Sequence, residues 1–218
     1  MRRSFDTWMV AVLTSLSMIL FGSIALAQQE KTVGKVAALE GTAYVLHKGS
    51  TESTFLTSES PVYQEDIIQT EAASKIKLVF LDGTSLNLGE HGTLKITQFV
   101  YSPEQKIQTA ILTIAAGAFR AVVEKLLPKS KLEVTTHTAV AAIRGTDWMG
   151  EVTADSSAFV VLEGRVTCIF NANPAVRGRV HLFRPGLGTT VRADQPPTRP
   201  NRWSEERVSA LKKATELP

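Results

Sequence analysis

The sequence predicts an all-β protein, on three observations. Leucine, an acid and glycine recur as Leu39-Glu40-Gly41, Leu81-Asp82-Gly83 and Leu162-Glu163-Gly164. The runs between are short and alternate apolar with polar residues, the period of a half-buried strand. Glycine accepts the positive φ of a tight corner, and an acid tolerates the turn beside it. Each copy therefore reads as strand, corner, strand, and a chain of such units is all-β.

The elements follow in order. Gly34 to Leu46 alternates around Gly41, giving two strands and a corner. His47 to Glu59 is polar and rich in serine and threonine, a loop or hairpin tip. Glu65-Asp66-Ile67-Ile68-Gln69-Thr70 leads into a strand. Lys75 to Leu88 is a hairpin about Gly83, with Ile76, Leu78 and Phe80 on one face. Leu94 and Ile96 alternate with Lys95 and Thr97. Gln108 to Ile114 and Ala118 to Val123 read as strands around a corner at Gly117. Lys125 to Lys131 holds Pro128 and reads as a solvated connection. Leu132 to Thr136 alternates again, and Phe159 to Leu162 and Val166 to Phe170 flank Gly164. Val180 to Phe183 and Thr189 to Val191 flank a corner at Gly186.

Two segments lie outside this pattern. Arg2 and Arg3, the apolar run Met9 to Ile24, and Ala25-Leu26-Ala27 form an export leader over residues 1–27. The apolar run is shorter than the ~20 residues of a spanning helix, so cleavage leaves no membrane span. Arg2-Arg3-Ser4-Phe5 leaves both the general and the twin-arginine export routes open. The mature chain, from Gln28, is expected to be periplasmic or secreted from a bacterium. At the other end Gln195-Pro196-Pro197-Thr198-Arg199-Pro200 marks a linker over residues 195–203. A helix over 204–217 follows, with Ser204 as N-cap and Trp203 and Val208 as a hydrophobic staple. Its apolar stripe is thin, so the helix is expected to be separable from the β-domain of residues 28–194.

Charge and cysteine content narrow the function. The chain carries a net +3, too mild for a nucleic-acid partner. Cys168 is the only cysteine, so no intramolecular disulfide forms. It reads as a small buried hydrophobe.

In order along the chain, several segments resemble the FecR domain family. They are Gly34-Lys35-Val36, Glu40-Gly41-Thr42-Ala43-Tyr44-Val45, Glu65-Asp66-Ile67-Ile68-Gln69-Thr70 and Leu81-Asp82-Gly83-Thr84. Ala116-Gly117-Ala118-Phe119-Arg120, Ala142-Ile143-Arg144-Gly145-Thr146-Asp147-Trp148, Leu162-Glu163-Gly164-Arg165 and Arg184-Pro185-Gly186 complete the series. Glu65 stands where the family commonly has glycine, and His137 where it commonly has proline. The resemblance spans Gly34 to Val191. It implies an exported all-β domain wound as a short solenoid or roll. In familiar members this domain is the periplasmic half of a membrane regulator whose cytoplasmic segment binds a sigma factor. Here the export leader leaves no room for such a segment, so the full signalling role is not expected to transfer.

No catalytic, cofactor or metal site is expected. His47, His91, His137 and His181 are scattered, and neither a nucleophile elbow nor a phosphate loop is present. Arg144-Gly145-Thr146 is the candidate structural motif. Arg144 follows an apolar run and reads as a buried arginine paired with Asp147, Asp155 or Glu163, tying strand windings together; a binding-site arginine is the alternative. Arg177-Gly178-Arg179 reads as a solvated turn or an anion site. Trp148 and Trp203 read as packing anchors or as platforms for sugars. The function expected is a noncatalytic interaction module, a signalling accessory or scaffold whose partner is another envelope protein. A structural or polysaccharide-binding envelope protein is the alternative.

The leader generates a direct prediction. Mass spectrometry of the exported protein should find Gln28 at its N-terminus; intact Met1 on membrane-embedded protein would contradict cleavage.

Overall fold

The computed structural model describes residues 31–123 and 127–217, and of Thr167 and Cys168 only the backbone. The leader and the side chain of Cys168 thus lie outside the described residues. Fifteen strands and one helix are described. The strands are β1 (Thr32–Glu40), β2 (Ala43–Leu46), β3 (Thr54–Phe55), β4 (Pro61–Tyr63), β5 (Ile67–Thr70), β6 (Lys75–Phe80), β7 (Ser85–Leu88) and β8 (Thr93–Ser102). They continue as β9 (Ile107–Val122), β10 (Lys129–Thr135), β11 (Ala139–Val152), β12 (Ser156–Asn171), β13 (Arg179–Leu182), β14 (Leu187–Arg192) and β15 (Asn201–Arg202). Helix α1 is Glu205–Thr215. The protein is all-β, as its alternating pattern predicts.

Hydrogen bonds join all fifteen strands into one sheet, folded over so that its halves face each other. One layer runs β3-β2-β5-β8, then the first part of β9, β10, the first part of β11, the second part of β12, and β13. The other runs β4-β1-β6-β7, then the second part of β9, the second part of β11, the first part of β12, β14 and β15. Strands β9, β11 and β12 thus belong to both layers. Phe80 of β6 stacks on Phe99 of β8 across the interior at 5.5 Å. Every pairing is antiparallel except β9–β10. That is the pattern of a folded sheet. It differs from the stacked windings of the expected solenoid, whose neighbouring strands would run parallel.

The shared strands explain why the alternation in the sequence breaks. In β9, Gln108, Ala110, Leu112 and Ile114 are buried ahead of Gly117, and Phe119 and Ala121 after it. The inward set changes from even to odd positions. In β11, Ala139, Ala141 and Ile143 give way to Thr146, Trp148 and Val152 beyond Gly145; in β12, Phe159 and Val161 give way to Val166 beyond Gly164. One extra residue in a strand bends it and exchanges its two faces. Gly117, Gly145 and Gly164 sit at those points with φ of 96°, 55° and 79°. Gly117 and Gly164 are therefore kinks inside continuous strands, where the sequence predicts corners between strands. Gly41, Gly83 and Gly186 do occupy connections, between β1 and β2, β6 and β7, and β13 and β14.

The helix is seated on the outer face of the second layer. Trp148, Phe159 and Val161 point into the core, so Met149, Ala158 and Val160 point out, yet all three are buried. Trp203 and Leu211 cover them, with Val208 packed alongside. Ser204 caps α1 as expected, its side chain accepting from the Arg207 amide. Arg207 lies over the Trp203 ring at 3.5 Å. At the far end of α1 the Asn87 amide donates to the Thr215 carbonyl at 2.9 Å.

The expected linker is likewise tied down. Thr198 donates to Thr190, Thr189 donates to Thr198, and Asn171 donates to the Gln195 carbonyl at 2.9 Å. Pro197 is buried and Asn201–Arg202 pairs with β14. The thin apolar stripe predicts a separable helix, whereas residues 195–202 and α1 pack against the sheet. The stripe omits Trp203, which is buried in the same cluster as Leu211.

Two measurements follow. Trp203→Ala should lower stability by about 3–5 kcal/mol in chemical denaturation, the usual cost of truncating a buried tryptophan. Truncation after Asp194 should lower the melting temperature; a truncated chain as stable as the full one would mean that α1 covers nothing of consequence.

Candidate interaction surface

The Arg144-Gly145-Thr146 motif lies where β11 and β12 pass from one layer to the other. Thr146 pairs with Gly164, and Arg144 with Arg165. A side chain on Gly164 would collide with the Gly145 carbonyl, so the close approach of the two kinks requires glycine at position 164. The Thr146 hydroxyl reaches the Arg144 carbonyl at 3.1 Å and also the Arg165 carbonyl. A buried hydroxyl thereby satisfies backbone acceptors that the bulge takes out of the ladder. The motif thus shapes the crossing through Gly145 and Thr146.

Arg144 itself is exposed and makes no ion pair among the described residues. The expected buried pair with Asp147, Asp155 or Glu163 is absent there. Asp147 pairs with Arg120 instead. Arg120 Nε donates to Asp147 Oδ1 at 3.0 Å and Nη2 to Oδ2 at 2.8 Å. The fork is bidentate and partly buried, joining β9 to β11 in the second layer. Its hydrogen bonds raise the Arg120 pKa, burial opposes them, and the charges of Asp147 and Glu216 raise it further. The pattern Ala118-Phe119-Arg120 carried a signal for this role: in β9 an outward arginine follows the inward Phe119. Its partner, 27 residues away, is visible only once the register is known.

Two other polar clusters were not legible in the sequence. Fully buried Asp66 accepts from the Tyr63 amide at 2.8 Å and meets His47 Nδ1 at 2.8 Å. Gln108 donates to buried Asp82 at 2.8 Å and accepts from the Leu127 amide and the Ser130 hydroxyl. This second cluster anchors the end of the 123–128 connection at Leu127, of which residues 124–126 lie outside the described residues. His137 and His91 are exposed and stand apart. Trp148 is fully buried against Phe119 at 5.0 Å, and Trp203 is 6% exposed. Both are packing anchors, and neither presents a ring face to a sugar.

The accessible features are shallow and lie at ends and edges. An open notch of about 380 Å³ is lined by Leu127, Pro128, Lys131, Leu132, Ile143 and Arg144. It forms where β11 leaves β10 after the Leu132–Ile143 pairing. Among the described residues, Phe55, Leu81, Val100, Phe170 and Phe183 are the large exposed apolar side chains. Arg177-Gly178-Arg179 is exposed and leads into β13, with Gly178 lying against Pro196. Among the described residues no group of three or more His, Cys, Asp or Glu side chains is placed to hold a metal ion. Such surfaces suit contact with another macromolecule more than enclosure of a small substrate.

Paired substitutions separate the two arginines. Arg120→Ala should lower the denaturation midpoint by the equivalent of about 1.5–3 kcal/mol, as for loss of charged hydrogen bonds. Arg144→Ala should change stability by less than about 0.5 kcal/mol, as at an exposed site. A larger effect at Arg144 than at Arg120 would contradict this assignment.

Comparison with known proteins agrees with this fold. The family model described as FecR protein matches residues 66–167, a shorter span than the resemblance from Gly34 to Val191. Two crystal structures of a candidate anti-sigma factor from Parabacteroides distasonis are similar. One has a TM-score of 0.51 at 15% identity, over 66% of this chain and 63% of that one. The other has a TM-score of 0.50 at 14% identity, over 66% and 62%. This chain therefore spans under two thirds of the length of those proteins, and at that identity the likeness is one of fold. No curated protein matches the chain. Over residues 66–167 the chain is thus similar to the FecR protein family.

Proposed function

We propose that this protein is a noncatalytic, exported protein-interaction module, serving as a signalling accessory or scaffold in the cell envelope. The FecR match over residues 66–167 carries the reading, since FecR domains are in general regulatory and not enzymatic. The leader pattern of residues 1–27 supports export. The shallow surface, with its edges and exposed phenylalanines, supports contact with a protein. The carbohydrate-binding alternative relied on Trp148 and Trp203, and both rings are committed to packing.

Deletion of the gene should alter a narrow set of transcripts, and the wild-type chain should restore them. Cross-linking in intact cells should couple the chain to an envelope protein. Unchanged transcripts, together with turnover of an envelope polymer by the purified chain, would overturn the reading.

A further inference from the structure

The charge of this protein is concentrated in one place. Between Arg177 and Arg202 there are six arginines, no lysine, and one acid, Asp194. This segment carries a net +5 while the whole chain carries +3, so the remainder is net acidic. All six arginines are exposed, and none makes an ion pair among the described residues.

The fold gathers this segment at one lateral edge. β13 is the outermost strand of the first layer and, among the described residues, pairs with β12 alone. Phe170 and Arg179 are directly opposite in that pairing. Arg177 precedes the strand, and Arg184 follows it with its guanidinium 5.6 Å from the Phe183 ring. Arg202 lies against Gly186 at the β13–β14 connection. Asn171 donates to the Arg192 carbonyl and Pro196 lies against Gly178, which brings the 192–199 segment beside the start of β13.

We infer that the outer edge of β13 is a docking site for an acidic, extended peptide segment of a partner protein, which adds to the sheet as a further strand. The site deepens the interaction-module reading and rests on it. A strand paired on one side offers backbone donors and acceptors to an incoming strand. Charged side chains on an edge also serve to repel unwanted strands. Two features distinguish a docking edge from such a guard. Phe170 and Phe183 are 39% and 56% exposed, and apolar side chains there would invite the pairing that a guard prevents. The cations are all arginine, whose planar fork binds carboxylates in bidentate fashion. A peptide alternating apolar and acidic residues would meet both features at the period of a strand.

Fluorescence anisotropy of the mature chain tests the site with two probes. The first is a labelled peptide alternating valine and glutamate. The second has the same charge, with proline in place of each valine, so it cannot donate to a strand. The first should bind, more weakly as salt rises. Arg179→Glu, Arg184→Glu and Arg202→Glu together should weaken it about tenfold or more. Lys31→Glu, Lys48→Glu and Lys129→Glu together make the same net charge change elsewhere and should leave binding within about twofold. Equal binding of the proline probe, or of polygalacturonate, would overturn the strand partner and leave a general polyanion surface. Absence of binding by the wild-type chain, or equal loss in both triple variants, would overturn the site. Complementation of the deletion separates this inference from the reading beneath it. If the arginine triple variant restores the transcripts fully, the edge is rejected and the module stands. If the wild-type chain binds the probe but restores nothing, the module is rejected.

Discussion

The fold depends on three long strands that belong to both layers. Each bends at a glycine with positive φ, and each changes there which side of its sequence faces the core. A side chain is strained in that backbone region. At Gly164 it would also meet the Gly145 carbonyl. Loss of one kink would turn every residue beyond it to the wrong face. Trp148, Phe119 and Phe159, which form the aromatic centre of the core, all lie on these strands. The core is therefore assembled by the crossings, and the shorter strands pair onto it.

Much of this was legible in the sequence because alternation is local. Ile76, Leu78 and Phe80 predict their burial, and Asp82-Gly83 predicts its hairpin. Gly117 and Gly164 were legible as positive-φ sites but not as kinks within strands. The distinction lies in the phase of the flanking residues, even before Gly117 and odd after it. Pairing partners were not legible, because register is a long-range property. Hence Arg144 was expected to pair, whereas Arg120 holds Asp147. The seat of α1 had a signal that a helix stripe does not contain. The unbroken apolar run Ala158-Phe159-Val160-Val161-Leu162 describes a strand covered on both faces, and Trp203 with Leu211 supplies the second cover.

The same architecture supports the proposed interaction module. Polar clusters such as Asp82–Gln108 and Asp66–His47 are satisfied within the fold and fix connections and corners. The shared strands carry the buried centre, and the lateral edges differ in charge and exposure. One edge carries the arginines, although the net charge of the chain conceals them. Composition alone therefore understates the electrostatics of this surface.

Native-state hydrogen exchange tests most directly whether the crossings hold the two layers together as one unit. Amides of β9, β11 and β12 on both sides of their kinks should be the slowest to exchange and should open together, at the free energy of global unfolding. Separate opening of the two halves of these strands, with one layer exchanging well before the other, would contradict the account.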